Sequence, residues 1–241
     1  GRGRSAALAM RRSRTQRRVI IKARVVRQKG AHFRAAPLAR HLTYLKRDGV
    51  DREGSEGRLF DADSDSADGE LFAERCKDDR HHFRFIVSPE DAAEMEDLRA
   101  FTRELMDDMA HDLGTRLDWV AVDHWNTDNP HIHILVRGKA DDGQNLVIDR
   151  DYIREGMRGR AEERVTAELG RRTEREIAQA LRREVSAERW TSLDRSLQRL
   201  QDDCGLIDLR PDPTGHARSD RALLIGRATA LERLGLADAH G

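Results

Sequence analysis

Tyrosine occurs only twice in this 241-residue chain, cysteine twice and proline five times. Cys76 and Cys204 stand too far apart for any metal-ligand or redox spacing, which excludes zinc-ribbon and thioredoxin-like chemistry and leaves two reduced thiols as the expectation. No apolar run approaches the roughly 18 residues of a membrane-spanning helix. Nor does the start carry a signal-peptide pattern, so a cytoplasmic protein without membrane insertion is expected. The initiator methionine is also missing, which suggests a fragment or a processed product. No internal repeat is present. The length, with 38% apolar residues, suffices for one large or two small domains with a core.

Acidic residues are absent from positions 1–47, which hold fifteen Lys or Arg; positions 48–79 then hold twelve acids against four bases. The formal net charge of zero therefore conceals a sorted distribution. A basic segment of that density is suited to tracking a phosphate backbone, or else is a solvated tail. Residues 1–16 have too little apolar surface to fold alone and read as a flexible basic arm.

Beyond the arm, "RVIIKARVV" (18–26) is β-branched and bounded by charge, as a strand is. "APLARHLTYLKRDG" (36–49) predicts a helix, with Pro37 in its first turn and Gly49 at its end. Residues 48–79 read as an acidic loop; an EF-hand is excluded there, because the turn position is not Gly and no closing Glu stands at the right spacing. "HHFRFIVS" (81–88) predicts a second strand, after which Ser88 and Asp91 suggest a capped helix start. Met95, Leu98, Phe101, Leu105 and Met109 then step by three or four, a core stripe closed by Gly114. Strands are expected at 116–125 and 131–138, and a further one at "NLVID" (145–149). From Tyr152 the pattern is helical, with a Thr173–Glu176 capping box and stripes Ile177, Leu181, Val185 and Leu193, Leu197, Leu200. "GLIDLR" suggests a short strand and "RALLIGRATALERLG" a last helix. The organisation expected is an arm at 1–16, a core at 17–150 and a helical extension at 151–241.

The chemistry concentrates in "DHWNTDNPHIHILVRG" (123–138). Residues i and i+2 of a strand face the same way, so His131 and His133 share one surface and Ile132, Ile134 and Val136 fill the other. If the hairpin pairs His124 with His131, three imidazoles converge; a slip of one residue would turn His124 away. Three converging neutral imidazoles form a divalent-metal site with positions left open for substrate. Asp123 and Asp128 are candidates for fixing ring tautomers, or are solvated turn residues.

Of the two phenols, Tyr44 lies in the acid-free segment, with His41 three residues before it and Arg47 three after, on one helical face. Neighbouring cations ease formation of phenolate, a nucleophile toward phosphorus. Read alone, it is equally a half-buried helix tyrosine.

Taken together, "HLTYLKRDG", "FRFIVSPEDA" and "VDHWNTDNPHIHILVRG" resemble, in order, the motifs of relaxases of conjugative and mobilisable elements, in the HUH endonuclease superfamily. They are most similar to the P-type mobilisation group. The resemblance runs over roughly residues 20–235. It implies an α+β fold, a central antiparallel β-sheet flanked by helices with a helical C-terminal part, and a single-strand-specific DNA transesterase. It further implies that Tyr44 attacks a scissile phosphate at a transfer origin, leaving a 5′-phosphotyrosyl link. His124, His131 and His133 would hold one divalent ion, Mg2+ or Mn2+, with Zn2+ as a further candidate. Ser88 would contact DNA beside the nick, with Arg40, Lys46 and Arg47 as further DNA contacts. His41, Asp123 or a metal-bound water are candidates for the base. Partners implied are single-stranded origin DNA, accessory relaxosome proteins and a coupling protein. Two other readings remain open: a three-histidine metallohydrolase using metal hydroxide, and a non-catalytic DNA-binding module with structural metal. Leu135, at the next alternate position, breaks the pattern of histidine-triad nucleotide hydrolases.

Overall fold

The computed structural model describes residues 2, 15–27, 36–48, 50–210 and 218–238. The chain divides into two compact units, Gly1–Arg171 and Arg172–Gly241. Most of the expected basic arm, and the Gly49 helix stop, lie outside the described residues.

The first unit is built on a four-stranded antiparallel sheet in the order β1-β2-β4-β3, with β1 Val19–Arg27, β2 His81–Pro89, β3 Trp119–His124 and β4 His131–Arg137. This is the sheet that the resemblance implies. Phe83, Phe85, Ile132, Ile134 and Val136 point to one face, where helix α3 (Leu98–Leu113) and helix α4 (Arg158–Leu169) cover them with Leu98, Phe101, Leu105, Met109, Ala161 and Val165. On the other face, helix α1 (Ala36–Asp48) sets Leu38, Leu42 and Leu45 onto Val120, Val122 and Leu135. Helix α2 (Gly69–Arg75) adds Phe72 there. That second cluster lies over β3 and β4 only; on β1, Ile20, Lys22 and Arg24 stay exposed.

Several local expectations are corrected. Residues 48–79 are not all loop, because Asp68 caps α2 by accepting from the Glu70 and Leu71 amides, and Phe72 and Ala73 are buried. Ser88 does not cap a helix: β2 continues to Pro89, a 3-10 turn follows at Ala92–Glu94, and α3 begins at Leu98. Its cap is Asp97, which accepts from the Arg99 and Ala100 amides, while Asp91 pairs with Arg17 at 3.1 Å. The stripe from Met95 to Met109 is buried as read, and Gly114 ends α3 at φ +62°. "NLVID" makes only isolated bridges, Lys139 with Asn145 and Ile148 with Arg2. A π-helical turn, Tyr152–Met157, leads into α4.

Gly138, directly after β4, has no room for a side chain, since a Cβ there would lie 1.9 Å from the His81 carbonyl oxygen. Gly138→Ala must push β4 away from the start of β2, at a cost of about 1–3 kcal/mol or more. A lower denaturation midpoint than wild type, at unchanged m-value, is the expected reading.

The second unit contains helices α5 (Glu174–Val185), α6 (Ser192–Leu200) and α7 (Arg218–Arg233). The Thr173–Glu176 capping box is present as read. Ile177, Leu181 and Val185 are half-buried, and Leu193 and Leu197 are buried, but Leu200 is 52% exposed and leaves the expected stripe. "GLIDLR" forms a turn closed by a single Gln201–Ile207 bridge rather than a strand. A buried ion pair ties α7 to α6: Arg227 Nε and Nη2 donate to the two Asp194 oxygens at 2.8 and 3.0 Å. Arg227 also donates to the carbonyls of Glu184, Val185, Ala187 and Arg189, so neither buried charge is left unsatisfied.

Candidate metal centre and nucleophile helix

The register that brings the histidines together is the one on which the metal reading depends. His124 pairs with His131 and Val122 with His133. The ring centroids of His124, His131 and His133 lie 4.6–5.3 Å apart. One candidate ligand nitrogen from each lies within 4.8 Å of the others.

Main-chain carbonyls orient two of the rings. His124 Nε2 donates to the Leu45 carbonyl at 3.0 Å, which leaves its lone pair on Nδ1. His131 Nδ1 donates to the Asn129 carbonyl at 3.0 Å, which leaves its lone pair on Nε2, 3.2 Å from Nε2 of His133. Asn129 belongs to the turn between β3 and β4, and Thr127 Oγ1 donates to the same carbonyl at 2.7 Å. Such anchoring of the far ring nitrogen is how metal-ligating histidines are held in one tautomer. Burial pushes the His133 imidazole down to about 3, with smaller contributions from the charges of His124, His131 and His41. His133 resists protonation at neutral pH, and the three rings bring candidate ligand nitrogens together, so a divalent ion fits the cluster. An all-imidazole donor set suits a first-row transition ion better than Mg2+, which favours oxygen ligands.

Tyr44 lies on α1, 53% exposed, adjacent to the residue whose carbonyl holds His124. Arg40, Lys46 and Arg47 are exposed on the same helix. His41 is half-buried, and burial, then the Arg84 charge, lowers its imidazole to about 4. Ser88 is half-buried at the end of β2, opposite Ile20. Strand alternation from Ile86, which pairs with His133, puts Ser88 on the histidine face.

The carboxylates stand elsewhere. Asp123 faces α3, where its two oxygens accept from Arg99 Nε at 3.0 Å and Trp125 Nε1 at 2.8 Å. Asp128 is exposed in the turn. Neither is among the partners of the histidine rings given above.

The second phenol is a packing residue. Tyr152 is fully buried, and its hydroxyl donates to Asp112 at 3.2 Å. Its ring lies over Gly156, where a Cβ would come within 2.4 Å of it. Burial first, then the Asp112 charge, holds this phenol well above its ordinary value.

Sequence reasoning missed the carbonyls of Leu45 and Asn129, which no side-chain pattern reveals. It also missed His82 and Arg84, which the "HHFRF" alternation places on the histidine face.

His82 gives the unit a pH dependence. Burial, then the charges of Arg84, His41 and His81, lowers it to about 4, and it is only 3% exposed. The unfolded chain therefore binds a proton near pH 6.5 that the folded chain takes up only near pH 4. The stability in question is complete above about pH 6.5 and is lost as pH falls toward 4, on the order of 3 kcal/mol from His82. Denaturant unfolding at pH 7.5 and 4.5 in chelator should show this loss, and His82→Leu should reduce it.

Residues 58–168 match the family model described as "Relaxase: MobA/VirD2-like, nuclease domain". That segment contains α2, β2, α3, β3, β4 and all three histidines; β1, α1 and Tyr44 precede it. Over that segment the chain is similar to relaxase nuclease domains. No match was found among the curated proteins or among the solved structures.

Proposed function

We propose that this protein is a relaxase of the P-type mobilisation group, which nicks and rejoins one DNA strand at a transfer origin and so initiates conjugative transfer. The observation that carries the reading is the contact between α1 and the metal centre: the Leu45 carbonyl fixes a histidine of the cluster, and Tyr44 is its immediate neighbour on the helix. A metal-hydroxide hydrolase would have no use for an exposed phenol held at that point.

In this reading Tyr44 Oη attacks the scissile phosphorus, forming a P–O bond to tyrosine as the bond to the 3′ oxygen breaks. The phenol proton goes to a base, for which neutral His41 on the same helix is the candidate. The departing 3′ oxygen takes a proton from solvent. Rejoining is the reverse. An ion held by His124, His131 and His133 would supply electrostatic stabilisation of the phosphate oxygens. Its all-imidazole ligand set favours Mn2+ over Mg2+. Arg40, Lys46, Arg47 and Ser88 are the proposed DNA contacts. Cleavage would take place in the cytoplasm, within a complex of accessory relaxosome proteins and a coupling protein. Among the described residues, no helix is long and apolar enough to cross a membrane.

The test is incubation with single-stranded origin DNA and Mn2+, followed by denaturing electrophoresis. A protein–DNA adduct that survives denaturation is expected. Cleavage that yields only free DNA ends would favour the metal-hydroxide mechanism, and ion binding without cleavage would favour a structural metal.

A further inference from the structure

Three basic side chains occupy the part of the sheet that the α1 cluster leaves uncovered. Arg24 pairs directly with Arg84, Lys22 with Ile86, and Ile86 in turn with His133. Directly paired residues share a face, so Lys22, Arg24 and Arg84 stand on the face that carries the histidines. Several other arginines of this unit meet carboxylates: Asp118 meets Arg75, Asp79 meets Arg137, and Asp112 meets Arg160. Among the described residues, Lys22, Arg24 and Arg84 have no such partner. Like charges directly opposite one another across a ladder destabilise it. A repulsion left uncompensated in a chain so rich in acids has the form of an anion site.

Arg84 is held by a neutral partner instead. Its Nε–H donates to Nε2 of His82 at 3.0 Å, which puts the His82 proton on Nδ1. Nδ1 is buried and has no hydrogen-bond partner, an arrangement that carries a desolvation cost. What the arrangement secures is the plane of a half-buried guanidinium, with its Nη donors left for a ligand. Burial and the Arg24 charge lower the Arg84 pKa, as expected of a cation without a counter-ion.

We propose that Arg84, aimed by His82 and flanked by Arg24 and Lys22, is a phosphodiester-binding site that holds the backbone of single-stranded DNA on the open half of the sheet. The proposal rests on the reading of the chain as a DNA strand-transfer enzyme and adds to it a specific phosphate contact. His82 is a positioning residue: it contacts the guanidinium and not the DNA.

The test is equilibrium binding of a mixed-sequence single-stranded oligonucleotide in chelator, so that no strand is cut, over a range of salt. Arg84→Gln is expected to lower the log–log salt slope by about 0.7, the loss of one phosphate contact. Arg24→Gln should flatten the slope similarly while raising the melting temperature, because it relieves the cross-strand repulsion. Single methylphosphonate substitutions then identify the contact. One position should weaken wild type and His82→Gln, which keeps an acceptor for Arg84, yet leave Arg84→Gln and His82→Leu indifferent. Wild-type slopes in folded Arg84→Gln and Arg24→Gln would overturn the site. So would a methylphosphonate profile identical in wild type and Arg84→Gln. An Arg84-dependent slope without any covalent adduct on origin DNA would keep the phosphate site and remove the strand-transfer reading; an adduct with unchanged slopes would do the reverse. Absence of DNA binding would remove both.

Discussion

Tyr44→Phe is expected to abolish the proposed covalent protein–DNA adduct, a loss on the order of 10⁴-fold or more in cleavage, while single-stranded DNA and divalent-ion binding persist. Only the attacking oxygen is removed. The helix keeps Leu38, Leu42 and Leu45 in the core, and the Leu45 carbonyl still holds His124, so the histidine cluster keeps its geometry. Tyr44 is half exposed and the substitution retains its ring, so little packing is lost. The paired control is Tyr152→Phe. It removes a buried hydroxyl that donates to Asp112, but Arg160 still satisfies that carboxylate at 2.8 and 3.1 Å. Stability should fall by about 1 kcal/mol and the adduct should form as in wild type. Adduct formation is read by denaturing electrophoresis and stability by denaturant titration. The opposite pattern, with Tyr152→Phe inactive in a folded protein and Tyr44→Phe active, would transfer the nucleophile to the buried phenol.

His131→Ala and His133→Ala are expected to abolish divalent-ion binding and nearly all cleavage, with the fold retained. His131 and His133 are half-buried side chains on β4, whose core contacts are made by Ile132, Ile134 and Val136 on the opposite face. Either imidazole would be one ligand of three in the proposed site, so ion affinity should fall by more than the roughly 10–100-fold typical of groups that only orient a ligand. Burial gives His133 a low proton affinity, so the His133→Ala apoprotein should be no less stable than wild type near pH 5. His124→Ala should be the more damaging to structure, because it is buried and also gives up the bond to α1. Ion binding by calorimetry and melting in chelator separate these outcomes.

The histidine register is legible because period-two alternation runs through "HIHILV" and a buried face punishes a slip of one residue. The α3 stripe and the Thr173–Glu176 box are legible for the same kind of reason, since each is a local periodic signal. Helix α2 is not, because seven residues in an acid-rich stretch carry too little periodicity, and burial of Phe72 against Val120 and Leu135 decides it. Ser88 misleads as a cap because Asp97, nine residues on, offers an equally good one where the chain has turned away from Pro89. Asp123 is a candidate partner for the histidines from sequence proximity alone. Strand alternation sends its side chain to the other face, where Arg99 and Trp125 take it. The ring anchors come from main-chain carbonyls, one of them 79 residues away in sequence, and no residue type announces those.

Peptide mapping of the trapped adduct is the most direct test of the central claim. After digestion of the protein and the bound DNA, the residual nucleotide should be found on the peptide containing Tyr44, as an acid-stable phosphotyrosine. A nucleotide on Tyr152, or cleaved DNA with no nucleotide on either tyrosine, would contradict it.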